Sequence, residues 1–273
     1  MSENVSARSL TLNCGVKIPQ LGLGVWQSGG QTKKAVLSAI SAGYRHVDTA
    51  AVYGNEAPVG AALAESGVAR EQLFVTTKLW NNDQGYDKAL RAFDASLRRL
   101  RLEYIDLYLI HWPVPELRLE SWRALEQLFA DKRVRAIGVS NFLTPHLQEL
   151  QGKAKVLPAT NQIELTPFLQ RHETVTLCRK LGITLEAYSP LTRGQRLGHP
   201  VVAELAQQIG RSPAQVLLRW GIQQGFVILP KSVTPARIEE NAALDFELDA
   251  AAMQRLDALE EGLVTGWNPA TQD

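Results

Sequence analysis

Short apolar runs of five to seven residues recur along the chain, and between them the apolar positions return every three to four residues. The first pattern is that of a strand buried on both faces, the second that of a helix with one face turned to a core. The runs fall at 21–26, 46–50, 74–79, 105–111, 136–140, 159–164, 184–188 and 226–230. Helical spacing is clearest in Leu90, Phe93, Leu97 and Leu100, and in Trp122, Leu125, Leu128 and Phe129. Three helices are expected to open on a hydroxyl N-cap followed by proline, at Thr144-Pro145, Ser212-Pro213 and Thr234-Pro235. Eight strands alternating with helices predict an α/β chain built as a (β/α)8 TIM barrel.

Length agrees with that reading. The 273 residues match the ~250 typical of such a barrel, and no Pro/Gly/Ser-rich linker divides them, so residues 1–273 are expected to form one domain. A doubly wound nucleotide-binding sheet is the alternative, but Gly22-Leu23-Gly24-Val25-Trp26-Gln27 lacks the third glycine of GxGxxG. Two pieces lie outside the eight units. Residues 9–19 alternate around Asn13-Cys14-Gly15 and predict a hairpin that plugs the barrel floor. Residues 249–260 predict a last helix through Ala252, Leu256 and Leu259, and the tail from Glu261 to Asp273 is placed to fold over one mouth.

Charge narrows the partners. A formal net charge of +1, with no dominant basic block, gives no field for nucleic acid or an anionic membrane and leaves only local anion sites. Cys14 and Cys178 lie far apart and form no metal or redox spacing, so both are read as reduced, small packing residues. Met1 to Leu10 is polar, without the apolar core of a leader, and no run is long enough to span a bilayer, so a soluble cytoplasmic protein is expected.

In such barrels the chemistry sits at the carboxyl ends of the strands. Reading those ends gives Trp26, Asp48 to Tyr53, Lys78 with Trp80, His111-Trp112, Ser140-Asn141, Gln162, Tyr188-Ser189 and Lys231-Ser232. A lone tyrosine in a loop or a histidine beside tryptophan is most often a packing residue. Asp48, Tyr53, Lys78 and His111 together form a proton-transfer set. Lys231, Ser232 and Arg237 gather around the helix starting at Thr234-Pro235 and predict an anion site. Trp26, Trp80 and Trp112 stand at strand ends and predict an aromatic-walled substrate pocket, whereas Trp122 and Trp220 lie inside helices and read as core. Trp267 in the tail is placed to cap the pocket. His46 is expected to point away from Asp48 and to be structural. His146, His172 and His199 fall in or beside helices, and no metal-ligand spacing is visible.

Three separated motifs in this order resemble the aldo-keto reductase superfamily over essentially the whole chain. They are Gly43-Tyr44-Arg45-His46-Val47-Asp48-Thr49-Ala50 with Glu56 eight residues after Asp48, then Ala136-Ile137-Gly138-Val139-Ser140-Asn141-Phe142, then Ile228-Leu229-Pro230-Lys231-Ser232 with Arg237 and Asn241 behind it. The short loops are similar to those of the prokaryotic branch that contains the 2,5-diketo-D-gluconate reductases. The resemblance implies a monomeric, NADPH-dependent reductase of aldehydes and ketones, with the family's catalytic tetrad on Asp48, Tyr53, Lys78 and His111. Tyr53 would be the general acid, its pKa lowered by Lys78. Asp48 would keep Lys78 charged, and a neutral His111 would orient the carbonyl. Ser140, Asn141 and Gln162 suit a carboxamide, and Tyr188 can stack on a nicotinamide ring. Lys231, Ser232 and Arg237 suit a 2'-phosphate. By resemblance Glu240 and Asn241 lie near the adenine, and the loop 190–200 straps the pyrophosphate with backbone donors of Ser189 and Leu191. Only Pro113 to Leu117 separate Trp112 from the next helix, so compact carbonyls are expected as substrates: α-keto compounds, dicarbonyls, and sugar-derived or aromatic aldehydes. Family barrels also serve as cofactor-sensing regulatory subunits, the alternative against which the intact tetrad argues. A barrel lyase using Lys78 as a Schiff-base amine would leave the Lys231 cluster unexplained.

Overall fold

The computed structural model describes residues 8–271; the start of the polar N-terminal segment and the last two residues of the tail lie outside the described residues. Eight parallel strands lie in one sheet, each hydrogen-bonded to the next in chain order. They are β3 (Gly22–Gly24), β4 (His46–Asp48), β5 (Phe74–Leu79), β6 (Ile105–Ile110), β7 (Val134–Ser140), β8 (Thr160–Glu164), β9 (Thr184–Tyr188) and β10 (Val227–Leu229). Parallel bridges Leu21 to Ile228 and Gly24 to Lys231 join the last strand to the first, and Ile228 N donates to Gln20 O at 2.9 Å. The sheet therefore closes on itself as a (β/α)8 barrel. The outer ring comprises α1 (Thr32–Ser41), α2 (Glu56–Glu65), α3 (Tyr86–Leu100), α4 (Arg118–Ala130), α5 (Thr144–Gln151), α6 (His172–Leu181), α8 (Pro213–Gln223) and α9 (Pro235–Ala242). Two further helices, α7 (Pro200–Ile209) and α10 (Ala250–Asp257), lie outside the eight units.

Burial on both faces explains the continuous apolar runs. Outward residues such as Val75, Leu79, Tyr108, Ile110, Val139, Ile163 and Leu185 belong to the main core with the helices, while Phe74, Leu107, Leu109, Ala136, Val227 and Leu229 fill the lower lumen. The expected hairpin is present as β1 (Ser9–Thr11) paired antiparallel with β2 (Lys17–Pro19). Its Leu12 and Ile18 are buried against that lower layer, so the hairpin forms the barrel floor.

Several boundaries and one orientation differ from the reading of the sequence. The strands at 21–26, 46–50 and 226–230 keep only three residues of ladder each, and the helix expected to reach 260 stops at Asp257. Of the three caps, Ser212 behaves as expected: its Oγ accepts from Gln215 N at 3.2 Å while Gln215 Oε1 accepts from Ser212 N at 3.0 Å. Thr144 is instead the first residue of α5 and bonds Thr174 across to α6. Thr234 precedes α9 without a side-chain cap, and its N–H is taken by Ser232 Oγ. His46 does not point away from Asp48. Residues two apart in a strand share a face, so both project into the lumen, where His46 Nε2 lies 3.0 Å from Thr76 Oγ1. The ring fits because β3 supplies Gly22 opposite it, where a Cβ would come within 2.7 Å of His46 Nδ1. Burial lowers its pKa to about 4, so the imidazole is neutral.

Candidate active site

All the catalytic candidates arrive at one end of the barrel. Asp48 ends β4, Lys78 sits one residue before the end of β5, His111 follows β6, and Tyr53 stands in the short 3-10 turn Ala51–Tyr53 after β4. Lys78 has no exposed surface and donates from Nζ to Asp48 Oδ1 at 2.6 Å and to Thr49 O at 2.9 Å. Burial alone would depress the ammonium, but Asp48, Tyr53 and the hydrogen bond together hold its pKa above the ordinary lysine value, so Lys78 is charged. Its Nζ lies 5.2 Å from the centre of the Tyr53 ring, and the His111 ring lies 5.7 Å from that ring on the cavity side.

Two directions follow for proton chemistry. His111 is held well below the ordinary histidine range, first by burial and then by the Lys78 ammonium, and is neutral as expected. Tyr53 departs from expectation: burial raises the phenol and outweighs the lowering by Lys78, leaving its pKa above the ordinary value. Lys78 thus limits a rise that burial would otherwise make larger.

Asp48, Tyr53 and His111 form one wall of a cavity of about 780 Å³, with Lys78 wholly buried behind it. Trp26, Trp80 and Trp112 line it, Trp80 meets His111 edge-on at 5.3 Å, and Trp122 and Trp220 are core residues. Trp267 is 60% exposed but lies edge-on to Trp112 at 6.0 Å, so the tail reaches the rim. It is tied there by Thr265, whose N donates to Glu164 Oε1 at 3.0 Å, and by the Arg196–Glu261 pair at 2.7 Å.

The same cavity continues past Ser140, Asn141, Gln162, Tyr188, Ser189 and Leu191 to Lys231, Ser232, Arg237, Glu240 and Asn241. Every residue picked from the sequence as a cofactor contact therefore lines it. Their mutual bonds pre-set the seat: Tyr188 Oη donates to Asn141 Oδ1 at 2.9 Å, Asn141 Nδ2 to His111 O at 3.0 Å, and Ser140 Oγ to Gln162 O at 2.8 Å. Four rim residues, Gln27, Asn141, Ser189 and Arg193, hold left-handed backbone at φ of 54°, 63°, 48° and 51°. Such conformations cost non-glycine residues free energy and gather where a site dictates the chain path. At the far end the exposed cations Lys231 and Arg237 flank the start of α9, so an anionic group fits there. Sequence distance hid the contact that joins the two halves: Gln162 Nε2 donates to Asp48 Oδ2 at 2.8 Å. Arg193, in the loop expected to strap the pyrophosphate, stacks on Trp26 with its guanidinium 4.6 Å from the ring. Among the described residues no cluster of potential metal ligands occurs.

Residues 20–261 match the model of the Aldo/keto reductase family. The chain belongs to that family. It is 51% identical to an aldo-keto reductase of Mycolicibacterium smegmatis over 96% of this chain and 97% of that protein. It is 48% identical to the glyoxal reductase of Bacillus subtilis over 96% of each. Among solved structures, an aldo-keto reductase from a Medee basin deep-sea metagenome library superposes with a TM-score of 0.95 at 42% identity, covering 97% of this chain and all of that one. The Bombyx mori aldo-keto reductase in complex with NADP superposes with a TM-score of 0.92 at 36% identity, covering 98% and 97%. Membership in the aldo/keto reductase family makes the chain an oxidoreductase barrel, and among its described residues no helix is long and apolar enough to cross a membrane.

Proposed function

We propose that this aldo/keto reductase is a single-domain, monomeric, cytoplasmic enzyme that reduces compact aldehydes and ketones with NADPH, using Tyr53 as the proton donor. The Gln162–Asp48 hydrogen bond supports this reading above all, because it fastens a carboxamide-binding set to the Asp48–Lys78 pair in one cavity. NADPH, when bound, supplies the hydride. Ser140, Asn141 and Gln162 orient the nicotinamide carboxamide, and Tyr188 packs on the ring. Neutral His111 donates a hydrogen bond to the substrate carbonyl oxygen. Tyr53 Oη then gives its proton to that oxygen while Lys78, held charged by Asp48, favours the phenolate left behind. Substrate size follows from the indole walls and from the short stretch Pro113 to Leu117, which gives no long lid for a steroid-sized ligand.

NADPH consumption with a panel of glyoxals, other α-keto carbonyls, nitrobenzaldehydes and steroid ketones checks the substrate class. Turnover of the small carbonyls and dicarbonyls should exceed that of the steroids; efficient steroid reduction with poor glyoxal activity would refute the size argument.

Cofactor choice should reside in Arg237 and Lys231. A charge-assisted contact contributes ~1.5–3 kcal/mol, less for exposed side chains, so Arg237→Ala should weaken NADPH binding roughly tenfold. NADH binding should stay nearly constant. Fluorescence titration with both cofactors reads the difference, and an equal loss for the two would mean that Arg237 supports the fold or the adenine.

A further inference from the structure

We propose that Glu186 is a positioning residue for carbonyl reduction: an interior carboxyl group that changes between neutral and charged forms and thereby adjusts the field in which Asp48 and Lys78 act on Tyr53. The proposal rests on the reductase reading given above. Glu186 occupies the middle of β9, directly across the ladder from Gln162 on β8 and Val227 on β10. It has no exposed surface, and neither carboxyl oxygen has a hydrogen-bond partner among the described residues.

The neighbouring Thr160 on β8 is also closely fitted. On β7, Gly138 has no side chain where a Cβ would come within 2.6 Å of Thr160 Oγ1, itself without a hydrogen-bond partner among the described residues. The groups that bear on Glu186 are Thr160 and Gln162 from β8, Asp48 from β4 and Lys78 from β5; β10 offers only Val227 and Leu229. Gln162 is also the donor to Asp48 Oδ2, so Glu186 borders the same network one strand away.

A charge at this depth is costly even with Thr160, Lys78 and Gln162 favouring it, and the carboxyl responds by holding its proton. Burial, then the Asp48 carboxylate, push its pKa up to about 7. Below that pH the charges that bear on it are one negative and one positive, Asp48 and Lys78. Above it Glu186 adds a second negative charge, which binds the Lys78 ammonium more tightly and disfavours phenolate at Tyr53. The phenol then becomes the weaker acid. The proton that reaches the substrate leaves Tyr53 Oη throughout, and Glu186 acts only through its charge.

Glu186→Gln keeps the shape and removes the titration. The ratio of variant to wild-type kcat for carbonyl reduction should rise by on the order of tenfold between pH 5.5 and pH 8.5, as expected when a nearby like charge moves a pKa by about one unit. Glu186→Asp should restore the wild-type pH dependence. A ratio constant across pH would mark a merely structural residue and overturn the inference. Should the Gln variant not fold, the wild-type protein with carbon-13-labelled glutamate still decides: one carboxyl carbon should titrate near neutrality by NMR, and ordinary titration of every glutamate would overturn the proposal. A wild-type chain that consumes no NADPH with any carbonyl defeats the reductase reading, whereas a working reductase with superimposable pH profiles defeats only the role of Glu186.

Discussion

Tyr53→Phe should lower kcat for carbonyl reduction by on the order of 10²- to 10⁴-fold, the usual contribution of a positioned general acid. NADPH affinity should change little. The hydroxyl is the only group removed, and the ring keeps its edge contact with His111 at 5.7 Å. None of the hydrogen bonds among Ser140, Asn141, Gln162 and Tyr188 involves Tyr53. Stopped-flow fluorescence with NADPH separates the two effects. Turnover within tenfold of the parent would remove Tyr53 from the acid role. His111 would not replace it readily, because burial keeps its imidazole unprotonated through the neutral range.

Lys78→Met should be comparably inactive, and less stable as well. The ammonium is wholly buried and holds both Asp48 and the Thr49 carbonyl. Removing it strands a buried carboxylate with Gln162 as its remaining donor, and breaking such a pair from one side costs about 3–5 kcal/mol. Denaturant unfolding would report this loss. Adding Asp48→Asn removes the stranded charge, so the double variant should regain much of the stability while remaining inactive. Recovery of turnover along with stability would mean that Lys78 serves the fold and not the acid.

Both experiments depend on residues legible in the chain, and the reason is local. Most of these barrel strands are largely apolar, so a charged or strongly polar residue at or just past the carboxyl end stands out; Asp48, Lys78, His111, Ser140 and Lys231 are all of that kind. The two-sided burial that makes the strands easy to find erases the distinction between their inner and outer faces. Glu186 sits inside an apolar run, where only its separation of two from Tyr188 marks it as lumen-facing. His46 could have been oriented by counting, since its separation of two from Asp48 puts the pair on one face. The Gln162–Asp48 bond spans 114 residues, and no local pattern carries such information. Arg193 was obscured by its glycine-bearing loop, where an arginine facing Trp26 and one facing water look alike in sequence. Thr144 and Thr234 failed as caps although a hydroxyl beside proline satisfies the rule in sequence: the Thr144 hydroxyl bonds Thr174 instead, and the Thr234 hydroxyl makes no cap bond.

The hairpin of Ser9–Thr11 and Lys17–Pro19, with Leu12 and Ile18 packed into the base of the barrel, has a kinetic consequence. The hairpin and the side chains that fill the lower lumen close that end, so ligands enter from the other, where the proposed nucleotide seat and the indole-walled chamber share one cavity. Gln162, Lys231 and the Arg193–Trp26 stack line the part read as the seat, whereas Trp267 lies beside Trp112 at the chamber. A ligand in the chamber would stand between an arriving nicotinamide and its place against Gln162. On the proposed function, the dinucleotide should therefore enter first and leave last, with the small reactant exchanging in between.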